Sequence, residues 1–193
     1  MSAPYCYKYP RPAVTTDLVV FAWIDGALRT LLIRRKADPF AGRWAFPGGF
    51  LDMDEAAEAG ARRELQEETG LTIDGPVEPI GFFDAPGRDP RGRTITLAHA
   101  ALLPAGDHPI LGGDDADEAA WRPVADARDL AFDHDEVLHV AIDWFRRKIA
   151  ARAAEAYALL PSPLDGAAAR DLFRALGLPT RGAAAWLRGA PSA

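Results

Sequence analysis

Cysteine is nearly absent: Cys6 is the only one in 193 residues. A lone cysteine closes no internal disulfide, which suits a reducing cytoplasm. Long apolar runs are missing too. No stretch approaches the ~18 apolar residues of a membrane span. Residues 1–12 hold no apolar segment of signal-peptide length, so neither membrane insertion nor secretion is expected. An excess of positive charge is also lacking: 28 acidic residues stand against 22 basic ones, a net charge of −6. A nucleic-acid coat normally carries the opposite sign, so no nucleic-acid partner is expected. Arginine far outnumbers lysine and alanine is abundant, a compositional bias with no functional weight.

What is present is ordinary for a globular chain, with 49% hydrophobic and 26% charged residues. The length fits one domain plus an addition, enough to bury a core without a metal or disulfide staple.

Residues 17–24 (DLVVFAWI) and 28–35 (LRTLLIRR) are apolar, β-branched runs around Asp25-Gly26, which predicts a β-hairpin. Residues 37–50, rich in proline and glycine, read as loop with short extended pieces. From about Asp54 to Thr69 the pattern turns helical. Ala57, Ala61 and Leu65 recur every four residues, and Gly70 is a natural stop. Extended segments follow at 77–84 and 93–103, then an acidic loop at 112–118 and a short strand at 119–124. An amphipathic helix spans 135–152, with Val137, Val140, Ala141, Trp144 and Phe145 on one stripe that ends at Lys148. The tail is alanine-rich with one helix at 167–176. Mixed strands with a central and a late helix predict an α/β sandwich. A main domain over 1–152 and a short helical C-terminal extension over 153–193 are expected.

On the central helix, Glu64, Glu67 and Glu68 stand at i, i+3 and i+4, so their carboxylates share a face. Three crowded carboxylates repel unless a cation sits among them, and hard oxygen donors suit Mg²⁺ or Mn²⁺. The Pro47-Gly48-Gly49 turn lets the backbone approach closely, so a carbonyl can complete a metal shell. Arg63 beside the cluster can hold a carboxylate by a bidentate pair.

These residues fall at fixed offsets: Gly49, five residues, Glu55, seven residues, Arg63-Glu64-Leu65, one residue, Glu67-Glu68, one residue, Gly70-Leu71. The pattern resembles, position for position, the box of the Nudix hydrolase family. The resemblance implies the Nudix α/β/α sandwich with a mixed sheet. It also implies metal-dependent hydrolysis of a nucleoside diphosphate linked to another group. It assigns Glu64, Glu67 and Glu68 as metal ligands with the Gly48 carbonyl as a fourth, and Arg63 and Glu55 as the orienting pair. Three flanks, 39–47 (PFAGRWAFP), 87–93 (GRDPRGR) and 130–134 (LAFDH), are similar to one branch of the family. That branch holds bacterial ADP-ribose pyrophosphatases and related regulators of NAD metabolism, which are commonly homodimers.

Arg88 and Arg93, in a loop with a third arginine, are candidates to clamp a diphosphate or terminal phosphate. Arg34 and Arg35 point to opposite strand faces, and Arg35 better matches the family's position. Trp44 and Phe46 are candidates to stack an adenine or to pack in the core. Relatives bring a further glutamate from a loop past the last long strand. Glu118 is the first choice, with Asp115 and Asp117 behind it, and either Glu118 or Glu64 would take the proton of the attacking water. His99 reads as a satisfied core histidine and His134 as a helix cap.

The expected reaction is hydrolysis of ADP-ribose to AMP and ribose 5-phosphate. NADH, nucleotide sugars and nucleoside triphosphates are alternative substrates, because the box leaves the leaving group open. An ADP-ribose-sensing transcription regulator with a C-terminal winged helix is the alternative from another class. The tail is short for such a domain and lacks a basic stripe.

Overall fold

The computed structural model describes residues 7–111 and 116–191. Strands β1 (Ala13–Ile24) and β2 (Ala27–Arg35) form the expected hairpin, with Ile24 paired to Ala27. Asp25 and Gly26 both take positive φ (52° and 74°), the conformation that a tight two-residue turn demands. β1 begins four residues earlier than its apolar run. It is buried along nearly its whole length because both sheet faces are covered there.

Beyond the first few pairs the hairpin opens. β1 pairs with β2 only over residues 21–24, and over 15–17 it pairs with β4 (Gly48–Phe50) instead. The far end of β2 takes β3 (Trp44–Ala45). The sheet therefore forks, with one arm on each strand. β6 (Thr94–Leu102) lies parallel to the other edge of β1 and carries β5 (Glu78–Phe83) antiparallel at the rim. β7 (Ala116–Pro123) runs antiparallel along β2. The sheet is mixed, as expected. The strand expected at 119–124 is longer at its start, because pairing with β2 continues back into the acidic stretch.

Helix α1 (Ala57–Thr69) starts three residues later than its pattern suggested, without a side-chain cap. It stops at Gly70, whose φ of 69° only glycine adopts freely. Ala61 and Leu65 of α1 pack on Leu18, Val20 and Leu31. Helix α2 (His134–Ala151) covers the opposite face, where Val137, Ala141 and Phe145 meet Val19, Phe21 and Leu102. Helices on both faces of a mixed sheet complete the α/β/α sandwich. Lys148 ends the apolar stripe of α2, where it pairs with Glu78 and Glu155.

The extension holds α3 (Ala154–Ala158), α4 (Gly166–Ala175) and α5 (Ala183–Leu187), of which the sequence pattern showed only α4. Short alanine-rich turns lack the periodicity that marks a helix. Tyr157, Leu172, Phe173 and Trp186 belong to the same apolar cluster as Phe21 and Phe145. The extension thus shares its core with the main domain. Among the described residues no helix is long and apolar enough to cross a membrane.

Trp186 is 4% exposed and its ring stacks on Tyr157, with centroids 4.2 Å apart. Trp186→Ala removes a buried aromatic and should cost about 3–5 kcal/mol. A thermal melt reads this as a clear fall in Tm, and an unchanged Tm would show that the extension is not part of the core.

Candidate active site

In the fork of the sheet lies a cavity of about 490 Å³. β1 contributes Asp17 to its wall, β2 contributes Arg35, β4 contributes Gly48 and Gly49, and α1 contributes Arg63, Glu64 and Glu68.

Arg63 is the hub of this wall. Its Nε and one terminal nitrogen donate to both oxygens of Glu55 at 3.1 and 2.6 Å. The other terminal nitrogen donates to Glu64 at 2.9 Å and Glu67 at 3.0 Å. One guanidinium therefore holds three carboxylates, and its proton affinity rises accordingly. Hydrogen bonds from Arg63, and then from the Asp52 backbone, hold the Glu55 carboxyl below its ordinary range. Burial pushes Glu64 up, with Arg63 opposing. Arg63 and Glu55 form the pair that the box implied.

The two glycines are required by space, since neither has positive φ. A Cβ on Gly49 would lie 2.4 Å from a Glu64 carboxylate oxygen. One on Gly48 would lie 2.3 Å from the Thr16 carbonyl oxygen and 2.5 Å from Oδ1 of Asp17. The Gly48 N–H donates to Oε2 of Glu68 at 2.9 Å. Glu68 is thus tied to β4 and only 8% exposed, although it shares a helix face with its fellow acids. Glu67 is bound to Arg63 outside the cavity wall, with its side chain 58% exposed. Among the described residues, no three acid or histidine side chains are already gathered as a metal cage. The oxygen-only donors Glu64 and Glu68, beside the Gly48 backbone, still fit a hard divalent ion.

The remaining candidates separate. Arg35 lines the cavity, donates to the Pro39 carbonyl at 2.8 Å and lies over the Phe132 ring at 4.7 Å. Arg88 also lines it, but its guanidinium is taken up by a bidentate pair with Asp133 at 2.8 and 2.5 Å. Arg93 is not in the wall and faces Asp84. Phe46 is in the wall but 1% exposed and stacked on His134, so it offers no open face to a base. Trp44 lies outside the wall, half-buried beneath Arg122. Glu118 stands within β7 instead of a loop. It is paired with Arg34 of β2, whose guanidinium is 4.0 Å away, and is not part of the cavity wall. Asp115 and Cys6 lie outside the described residues, as does the side chain of Asp117.

His99 is the satisfied core histidine expected, with Nδ1 3.1 Å from Oγ1 of Thr16. His134 is not the expected cap: it is the first residue of α2, and its side chain caps no helix N–H. Its Nδ1 accepts the Phe46 N–H at 3.0 Å, which places the ring proton on Nε2, 3.7 Å from Oδ1 of Asp17. Asp17 itself accepts from Oγ1 of Thr96 at 2.5 Å. Sequence reasoning did not single out Asp17, Asp89 and Phe132 as cavity residues, and of the three loop arginines it ranked Arg88 and Arg93 above Arg91, which lines the wall. The signals available were the flanks 87–93 and 130–134, which hold Asp89, Arg91 and Phe132, and an aspartate inside an otherwise apolar strand.

The NUDIX domain model matches residues 15–145. The chain belongs to the Nudix family. It is 37% identical over 136 residues to the ADP-ribose pyrophosphatase of Methanocaldococcus jannaschii, covering 70% of this chain and 76% of that one. It is also 37% identical over 140 residues to the ADPR responsive transcriptional repressor NtrR of Acinetobacter baylyi. That match covers 69% of this chain and 54% of the repressor. A MutT/nudix family protein from Enterococcus faecalis superposes with a TM-score of 0.79 at 29% identity. It covers 96% of this chain and 82% of that one, so the similarity includes most of the extension.

Gly49→Ala forces the Glu64 carboxylate to move while leaving the backbone conformation accessible. Phosphohydrolase kcat should fall by about 10²-fold, roughly 2.7 kcal/mol in the barrier, with little change in Tm. Wild-type kcat in this variant would show that the position of Glu64 does not matter.

Burial holds both His99 and His134 below the ordinary histidine value of about 6.5. The unfolded chain therefore binds these protons first, and stability present above about pH 6.5 is lost as pH falls. Melting curves of the metal-free protein should show Tm decreasing from pH 7 toward pH 5, with a shallower slope in His99→Asn. A pH-independent Tm over this range would contradict the burial argument.

Proposed function

We propose that this Nudix hydrolase cleaves the diphosphate of ADP-ribose, giving AMP and ribose 5-phosphate, with Mg²⁺ or Mn²⁺ as cofactor. The observation that carries the reading is the set of Glu64, Glu68, Gly48 and Arg63 in one cavity, where two carboxylates face an arginine-bearing wall. The similarity to an ADP-ribose pyrophosphatase over 70% of the chain supports the substrate.

When bound, a divalent ion supplies charge neutralisation on the diphosphate and a water of lowered pKa. Glu64 and Glu68 would hold it, with the Gly48 carbonyl; Glu67 joins them only if it leaves Arg63. Water adds to one phosphorus, the bridging P–O bond breaks, and the bridging oxygen leaves with the other phosphate. Glu64 would take the water's proton. Its side chain is raised in proton affinity by burial, whereas Glu118 stands on the strand beside Arg34. Arg63 fixes the direction of Glu64, and Arg35 faces the substrate's negative charge. The single cysteine and the family resemblance support a cytoplasmic homodimer.

A second reading, a nucleotide-sensing regulator that binds DNA, is favoured by the similarity to the repressor. Against it, residues 153–193 carry four arginines and three acids, a weak charge for a phosphate backbone. Their apolar side chains are committed to the enzyme's own core.

The test is AMP release from ADP-ribose, NADH, nucleotide sugars and nucleoside triphosphates across a Mg²⁺ titration, beside duplex DNA binding at physiological salt. ADP-ribose should be preferred, EDTA should abolish turnover, and DNA should not bind tightly. Glu68→Gln keeps an oxygen for the Gly48 N–H and loses the charge. Its kcat should drop by about 10²-fold, roughly 2.7 kcal/mol, with Tm nearly unchanged. Turnover in chelator ends the metal reading, and nanomolar specific DNA binding revives the regulator.

A further inference from the structure

Asp17 lines the cavity, yet nothing so far gives it a role. It sits in a strand that is apolar from Leu18 to Ala22, and its side chain is 9% exposed. A carboxylate held out of water is costly unless it has partners. Its Oδ2 accepts from Oγ1 of Thr96 at 2.5 Å. Among the described residues no hydrogen bond reaches its Oδ1, which stands 3.7 Å from Nε2 of His134. Two arginines are close enough to sense its charge, but neither pairs with it: Arg35 donates to the Pro39 carbonyl and Arg88 to Asp133.

His134 lines the same cavity. Because its Nδ1 accepts the Phe46 N–H, the ring is neutral and carries its proton on Nε2. The wall therefore presents a carboxylate oxygen beside a neutral N–H donor, too far apart to bond each other. A hydroxyl satisfies both, donating to Oδ1 and accepting from Nε2. An ionised phosphate oxygen does not. It only accepts, and its charge is repelled by the carboxylate. A wall built to bond a hydroxyl rejects an analogue without one, because its own polar groups are then left unpaired.

We propose that Asp17 and His134 select the group that the diphosphate carries, binding a sugar hydroxyl and turning away a further phosphate. Sugar-linked nucleoside diphosphates are thereby accepted and nucleoside triphosphates refused. Thr96 is the positioning residue: its hydroxyl fixes one carboxylate oxygen and leaves the other to the ligand. This rests on the reading that the cavity takes a nucleoside diphosphate derivative, and not on which sugar is preferred.

The experiment measures kcat/KM for ADP-ribose, ADP-glucose and ATP with Mg²⁺, and calorimetric binding of ADP-ribose and ATP in EDTA, where no turnover is expected. Wild type is compared with Asp17→Asn and Thr96→Val. The deciding quantity is the ratio of sugar nucleotide to ATP, in which any common loss of folded or metal-loaded protein cancels. Wild type should favour the sugar nucleotides by about tenfold or more. Asp17→Asn can still accept from Thr96, but it turns the free oxygen into an amide donor. Its ratio should move toward ATP by about tenfold or more, with Tm nearly unchanged. Thr96→Val keeps the charge and loses the anchor, so KM for the sugar nucleotides should rise several-fold while ATP stays a poor substrate. It supplies the ratio if Asp17→Asn melts early. If ADP-glucose is preferred to ADP-ribose and Asp17→Asn still shifts the ratio, the selector stands and the ADP-ribose reading falls. If nothing is cleaved, the hydrolase reading falls and the binding ratio alone decides. An unchanged ratio in the folded variants, a wild type that prefers ATP, or one that neither binds nor cleaves any of the three overturns the selector.

Discussion

Four groups around one guanidinium govern the cavity. Glutamates 55, 64 and 67 would repel one another on a short helix and its approach loop. Arg63 removes that conflict by donating to all three and to the Phe50 carbonyl as well. A lysine could not do the same, because an ammonium is a point charge without a planar fork. The spacing of the motif follows from this geometry. Glu55 must reach back from before the helix to Nε of Arg63, and Glu64 and Glu67 must lie next to it and one turn on. The same guanidinium ties α1 to β4, so the helix cannot roll without losing several charged hydrogen bonds.

The forked sheet supplies the space that this network borders. Because β1 leaves β2 to pair with β4, the strand ends diverge and their inward residues face a gap. Glycine at 48 and 49 lets β4 approach Asp17 and Glu64 to contact distance. The segment 130–134 closes the gap from the other layer, through the Arg88–Asp133 pair and the Phe46–His134 lock. The cavity is thus bounded by parts far apart in sequence, joined by charge pairing and single backbone hydrogen bonds.

The shared helix face of the box and its Arg63–Glu55 pair were legible in the sequence, because that spacing is local to one helix and one turn; the place of Glu67 outside the cavity wall was not. The hairpin and both main helices were legible for the same reason: turn chemistry and periodicity are local. What failed was tertiary. Glu118 read as a loop acid because acidic stretches are usually solvated, but ladder pairing with β2 draws it into a strand beside Arg34. Trp44 and Phe46 read equally as stacking or core residues from type alone; Phe46 is buried, and Trp44 is half-buried outside the cavity wall. Among the loop arginines, Arg88 and Arg91 are held by Asp133 and Asp89, whose positions no spacing rule reports. Asp17 was hidden within an apolar strand.

The extension's place in the core bears on how the chain acquires its structure. Val19 and Phe21 lie near the start of the sequence, whereas Leu172 and Trp186 of the same cluster lie near its end. On a ribosome moving at ~5–20 residues per second, the stretch between them takes on the order of ten seconds or more to emerge. During that interval α2 alone covers the sheet face, and the apolar surface destined for α4 and α5 stays wet. The apolar cluster is therefore complete only once residues far apart in the sequence have all emerged.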